Sequence, residues 1–218
     1  MESVADSLHP EFAQLLAVQP YTVVIDGLVI TVDEDVFPPD MGRCARNMAS
    51  ISAEYRPDRA VDMGCGSGYL ALALKQQGVA DVWALDLHEP AIRCTTWNLE
   101  QNAHIGPLTI ARSDLFEAVP PSLVFDLVVF NQPFAPALTQ GVCGCGFDGG
   151  YEITRRFLVD AKSRLAPGGS IMMAFSDRAA PENDPSPVAR DLGYVTRTLL
   201  HAYYEESNNF IYEFRLDR

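Results

Sequence analysis

From Arg59 onward, short apolar runs alternate with stretches of helical periodicity, and that order leaves few folds open. RAVDM reads as a short apolar strand ending in Asp62, followed by the loop GCGSG and by YLALALKQQG, a helix closed by Gly78. DVWALD is the next strand, ending on Asp86, and EPAIRCTTWNLEQNA is a helix with Pro90 in its first turn, where proline is tolerated. PLTIA is a strand leading into Ser113-Asp114-Leu115, and FDLVVF is a buried strand running into Asn131. YEITRRFLVDAKSRL places Ile153, Phe157, Leu158, Ala161 and Leu165 on one stripe, which predicts a helix up to Leu165. Pro167-Gly168-Gly169 then breaks it before the strand SIMMAF. Ser186 to Leu192 reads as a short helix, and GYVTRTLLHAYY with NNFIYEFRL as a closing antiparallel pair. Strands alternating with helices imply a parallel sheet with right-handed crossovers. The expected fold is therefore α/β, a doubly wound, mostly parallel, seven-stranded Rossmann-like sheet.

The residues before Arg59 follow another pattern. Residues 8–16 look like a short helix, and YTVVI and LVITV flank Asp26-Gly27, a strong hairpin signal. DEDVFPPD is a loop by its prolines, and Met41 to about Tyr55 carries apolar residues at helical spacing. The 218 residues suit one domain: 1–55 as N-terminal helix, hairpin and cover segment, 56–218 as the core.

Charge narrows the partners. Sixteen Lys and Arg against 29 Asp and Glu give a formal charge of −13, which repels phosphate backbones and anionic membrane surfaces at long range. Nucleic acid is accordingly not expected as substrate, and no membrane association is expected. No run reaches the roughly 20 apolar residues of a membrane span, and the start carries acidic residues where a signal peptide needs basic ones. A cytoplasmic location is expected, with Cys44, Cys65 and Cys94 as free buried thiols. Cys143 and Cys145 sit in a C-G-C-G tract whose single intervening residue is not a zinc spacing, so no metal is expected.

In open α/β sheets, ligands bind beyond the carboxyl ends of the strands. Four loops with unusual residues end strands here: Asp62–Gly68, Asp86, Asp114, and Asn131–Phe134. The glycines of V-D-M-G-C-G-S-G lack the G-x-G-x-x-G spacing of dinucleotide folds, and Asp62 beside them disfavours a pyrophosphate. A carboxylate there suits a ligand with an ammonium group. Asp86 can accept both hydroxyls of a ribose, or can cap the next helix. Asp114, with the Leu115 amide, can read an adenine edge, or act as a turn residue. In N-Q-P-F, Asn131 and Gln132 offer carbonyl acceptors, Pro133 stiffens the backbone and Phe134 offers a flat apolar face. Together they can hold a planar N–H group.

At these residues the chain resembles the class I S-adenosylmethionine (SAM)-dependent methyltransferases, and more closely the small-domain group that contains HemK-type glutamine and adenine N-methyltransferases. VDMGCGSGYLALAL looks like the family's SAM loop, ALDLHEPAIRCTTWNLEQN like its ribose strand and helix, SDLF like its adenine-side loop, and FDLVVFNQPF like the F-D strand followed by N-P-P-[YF]. The resemblance covers roughly Val36 to the C-terminus. It implies that Asp62, Gly64, Cys65 and Gly66 hold the methionine end, Asp86 and Leu87 the ribose, and Asp114 and Leu115 the adenine. It also implies that Phe37, in a segment before the core, closes over SAM. Asn131, Gln132, Pro133 and Phe134 would orient the acceptor nitrogen, with Asn131 also beside SAM. One departure is Gln132, where the family has a proline. A separate N-terminal substrate domain like that of the bacterial release-factor enzymes is not expected. The chain would then use a partner subunit or homodimer, or act on something small.

The resemblance implies methyl transfer from SAM to a nitrogen of a small molecule or a protein side chain. No strong general base stands in the N-Q-P-F loop, which fits an amine, amide or aromatic nitrogen. Two alternatives use the same fold: cyclisation of SAM's own aminobutyryl group to azetidine-2-carboxylate, releasing methylthioadenosine, and a non-catalytic SAM-binding partner subunit.

Overall fold

The computed structural model describes residues 18–41, 43–133, 151–177, 179, 181–204 and 206–217. The expected helix at 8–16, Phe134, Cys143 and Cys145 lie outside the described residues. Two strands open the described chain, β1 (Tyr21–Ile25) and β2 (Leu28–Val32), followed by helix α1 (Cys44–Ser52). The alternating part then runs β3 (Arg59–Met63), α2 (Tyr69–Gln76), β4 (Asp81–Asp86), α3 (Glu89–Gln101), β5 (Thr109–Arg112), β6 (Phe125–Phe130), α4 (Tyr151–Ala161), β7 (Leu165–Ser176), α5 (Pro185–Asp191), β8 (Tyr194–Tyr204) and β9 (Ser207–Leu216).

Strands β3 to β9 form one seven-stranded sheet in the order β5-β4-β3-β6-β7-β9-β8. Pairings are parallel from β5 to β7, and β9 runs antiparallel to both neighbours. The chain winds outward from β3 to β5, then crosses to β6 on the other side of β3. That reversal opens a crevice beyond the carboxyl ends of β3 and β6, where Met63 pairs with Phe130. Gly64 and Asn131 are the next residues on either side of it.

The period of two along the strands sorts side chains onto two faces. Ala60, Leu127, Val129, Met172 and Ala174 pack under α1, α2 and the hairpin. Val61, Val128, Phe130, Ile171 and Met173 pack under α4 and α5. On this second face Phe130 lies 4.7 Å from Phe157 and Phe157 lies 5.9 Å from Phe116, centroid to centroid. This aromatic cluster fixes the end of β6 from which Asn131 emerges.

Asp26 and Gly27 both take positive φ, 50° and 83°, as a tight two-residue hairpin turn demands. Asp26 is tied down by the Tyr69 hydroxyl at 2.5 Å and by Arg46 at 3.2 Å. One expectation fails. The α4 helix stops at Ala161, and Leu165 already belongs to β7, so Pro167-Gly168-Gly169 lies within the strand rather than before it. The reason is pairing: Leu165 pairs with Phe125, and a register shift between Phe125 and Leu127 absorbs the prolyl-glycyl residues. Among the described residues, Cys65 and Cys94 are free and buried, whereas Cys44 is only half-buried.

Candidate active site

The glycine loop after β3 is shaped by backbone that only glycine adopts readily. Gly64, Gly66 and Gly68 have φ of +67°, +53° and +80°. A Cβ on Gly68 would stand 2.7 Å from Thr95 Cγ2. Gly68→Ala is therefore expected to destabilise the fold by about 1–3 kcal/mol through strain and overpacking. Urea unfolding measures this, and an unchanged midpoint would show that the turn is not under constraint.

Asp62 is only 1% exposed and points under α2, where one carboxylate oxygen accepts the Ala71 N–H at 3.0 Å. Burial pushes its pKa up to about 8; the Ala71 N–H opposes this and the nearby Asp86 charge adds to it. A cation brought close to such a carboxylate would favour its charged form.

Asp86 knits the neighbouring loops together. Its Oδ2 accepts from Gly66 N at 3.0 Å, its Oδ1 from His88 N at 2.9 Å, and its carbonyl from Ser113 N at 2.8 Å. The side chain thus supports the glycine loop and the start of α3 at once. Cys65 is turned away from such work: its N–H donates to Leu85 O at 3.0 Å and its sulfur lies 3.3 Å from Thr95 Oγ1. Burial, with Asp86 and Asp62 nearby, raises its thiol well above the ordinary range, so it is no nucleophile.

Beyond β4 and β5 lies an open depression of about 510 Å³, lined by Leu87, Arg112, Ser113, Asp114, Glu117 and Ala118. Leu87 is 46% exposed there. Asp114 Oδ2 accepts from Arg156 Nη2 of α4 at 2.8 Å. The Leu115 side chain is buried in the core and its φ is +49°. Phe37 is half-buried in the segment after the hairpin. That segment is moored by Gln19 Nε2 to Val36 O at 2.7 Å and by Tyr21 OH to Asp40 at 2.6 Å.

The last loop of the site leaves β6. Asn131 Oδ1 is buried and has no hydrogen-bond partner among the described residues. A buried acceptor without a donor is destabilising unless something else supplies one. Gln132 is buried and its side chain faces inward, Oε1 accepting from Thr154 Oγ1 at 2.5 Å and Nε2 donating to Asn183 O at 3.4 Å. Its side chain is thus committed to the protein. Pro133 follows, half-buried.

The fold therefore brings Asp62, Gly64, Gly66, Asp86, Leu87, Asp114 and Asn131 to one edge of the sheet. Sequence reasoning missed Thr95 and Asn98 of α3, which bond the glycine loop from behind at Gly66 O and Ser67 O, 3.0 and 2.8 Å. The available signal was a polar pair on the stripe Ala91, Cys94, Thr95, Asn98, which the helix buries.

The chain is 43% identical over 74 residues to a ribosomal protein L11 methyltransferase from Thermotoga neapolitana, covering 34% of this chain and 26% of that one. It is 31% identical over 140 residues to a release factor glutamine methyltransferase from Rhodopirellula baltica, covering 57% and 47%. The chain thus spans about half or less of the length of these relatives. Its fold matches a 16S rRNA methyltransferase of T. thermophilus in complex with AdoMet and guanosine, with TM-score 0.64 and 22% identity over 89% of this chain and 50% of that one. The methyltransferase small domain model matches residues 45–183, from α1 through the N-Q-P loop to the turn that receives Gln132. This chain belongs to the methyltransferase small domain family.

Proposed function

We propose that the protein transfers the methyl group of SAM to a planar nitrogen, with a protein side-chain amide as the preferred acceptor. The observation that carries this reading is Asn131 Oδ1, a buried acceptor with no donor among the described residues, at the strand end beside the glycine loop. The residues around it fit SAM. Asp62 supplies a buried carboxylate for the ammonium, Asp86 a carboxylate for ribose hydroxyls, and the depression beside Leu87 and Asp114 room for a base. SAM, when bound, supplies a methyl carbon already activated by its sulfonium. The chain's task is alignment. Asn131 Oδ1 accepts from the acceptor's N–H, with the Gln132 backbone carbonyl as second acceptor, and both ease the charge that builds on the nitrogen.

The release factor relative supports an amide acceptor, because it is named for glutamine. The net charge of −13 led to an expectation against nucleic acid. That expectation is not supported, since the chain is 32% identical over 120 residues to a ribosomal RNA small subunit methyltransferase C from Actinobacillus pleuropneumoniae. An exocyclic nucleobase amine is also planar and would use the same two acceptors. No helix among the described residues is long and apolar enough to cross a membrane.

Incubation with SAM, with and without a cell extract, followed by mass analysis tests the reading. S-adenosylhomocysteine is expected to accumulate only with extract. Methylthioadenosine from SAM alone would replace methyl transfer by cyclisation of SAM, and no product despite tight SAM binding would make the chain an accessory subunit. Asp86→Ala is expected to weaken S-adenosylhomocysteine binding by about 1–3 kcal/mol, the scale of lost charge-assisted hydrogen bonds. Calorimetry on the folded variant measures it. Unchanged affinity would reduce Asp86 to a brace for Gly66 and His88.

A further inference from the structure

Helix α3 holds the hairpin with one asparagine and both the hairpin and the glycine loop with another. Asn98 is fully buried and uses every hydrogen-bonding position of its amide. Its Oδ1 accepts from Thr31 N at 2.8 Å and from Gln101 Nε2 at 3.1 Å. Its Nδ2 donates to Thr31 O and to Ser67 O, both at 2.8 Å. One turn earlier, Thr95 Oγ1 donates to Gly66 O at 3.0 Å. Two successive carbonyls of the glycine loop are therefore drawn back onto α3. Asn102, one turn later, grips the hairpin in the same way: Oδ1 accepts from Val29 N at 3.0 Å and Nδ2 donates to Val29 O at 2.8 Å. Its remaining donor contact goes to Asn98 O within α3, at 2.7 Å, and not to the loop.

We infer that Thr95 and Asn98 are positioning residues for the SAM-binding loop, and that Asn98 makes the β1–β2 hairpin part of that loop's support. The inference rests on the proposed SAM reading. The physical basis is pre-organisation. A loop of three glycines has many conformations to lose on binding, and carbonyls anchored beforehand reduce that loss. The saturated amide of Asn98 transmits the hairpin's position directly to Ser67.

Asn98 and Asn102 form a matched pair for the test. Both are buried, both bond one residue of β2 through N–H and C=O, and only Asn98 reaches the loop. Both Asn98→Ala and Asn102→Ala are expected to lower the melting temperature. Only Asn98→Ala is expected to weaken S-adenosylhomocysteine binding, by about tenfold, the scale of one or two lost hydrogen bonds. Equal losses of affinity in the two variants, or none in either, would overturn the inference. Thr95→Val removes the hydroxyl at nearly constant shape and gives a second route if Asn98→Ala does not fold. It is expected to weaken binding severalfold, with Thr95→Ser restoring it; failure of Thr95→Ser to restore it would count against hydrogen bonding as the cause. Calorimetry of the unsubstituted protein separates the two levels. If that protein binds no S-adenosylhomocysteine, the SAM reading itself fails, and the inference falls with it.

Discussion

Asn131→Ala is expected to lower kcat by about 10²–10³-fold while leaving S-adenosylhomocysteine affinity nearly unchanged, the effect seen when an oriented transition-state hydrogen bond is removed. The reasoning starts from the fold. Asn131 leaves β6 at the strand-order reversal, and the aromatic cluster of Phe130, Phe157 and Phe116 holds that strand end in place. Its Oδ1 is buried without a donor among the described residues. Keeping such an atom lowers stability unless the acceptor substrate supplies the missing N–H. An interaction that strengthens as the nitrogen gains charge affects kcat, whereas uniform binding affects KM. The assay is turnover of SAM with a glutamine-bearing protein acceptor, alongside calorimetry with S-adenosylhomocysteine. Full turnover in the variant would end the nitrogen-methylation reading and make the N-Q-P loop structural. If Asn131→Ala instead abolished release of methylthioadenosine, the loop would be acting on SAM's own amine.

SAM affinity is expected to rise by up to about tenfold per pH unit between pH 6 and 8, and Asp62→Asn is expected to remove that slope. The sign follows from the proton balance. In the free protein the buried Asp62 keeps its proton up to about pH 8. Binding an ammonium group favours the carboxylate, so below that pH each binding event releases a proton. Release of a proton makes binding tighter as pH rises, and the gain ends once Asp62 is already ionised. Toward pH 8 the ligand's own amine also loses its charge, since an α-amino group titrates near 7.7–8.0. Affinity should therefore pass through a maximum. Calorimetry in two buffers of different ionisation enthalpy counts the released protons directly. A flat profile with no proton release would show that Asp62 does not face the ammonium.

The α/β alternation was legible because β3, β4 and β6 are short apolar runs, closed by Gly64, by Asp86 and by Asn131-Gln132-Pro133. β3, β4 and β6 fall where the sequence places them, and the special residues at their ends follow from the general rule for open sheets. The end of α4 was not legible. Leu165 continues the helical stripe of Phe157, Leu158 and Ala161, yet pairing with Phe125 places it in β7. Periodicity along one segment cannot reveal a competing partner some forty residues away. The front of the site was readable for the same reason as the strands. The back was not. Thr95, Asn98 and Asn102 resemble the polar face of an exposed helix, and only the docking of the hairpin turns that face inward. The inward side chain of Gln132 was not legible either, because Thr154 and Asn183, which draw it inside, are distant in sequence.

A two-stranded ribbon presents bare main-chain groups along its rims, and such rims recruit strands from other molecules. On β2 the outward groups at Val29 and Thr31 are already matched, N–H and C=O alike, by the side-chain amides of Asn102 and Asn98. An intruding strand would have to unseat two buried amides before making its first ladder bond. The helix thereby protects this rim against intermolecular β-pairing, without contributing a strand.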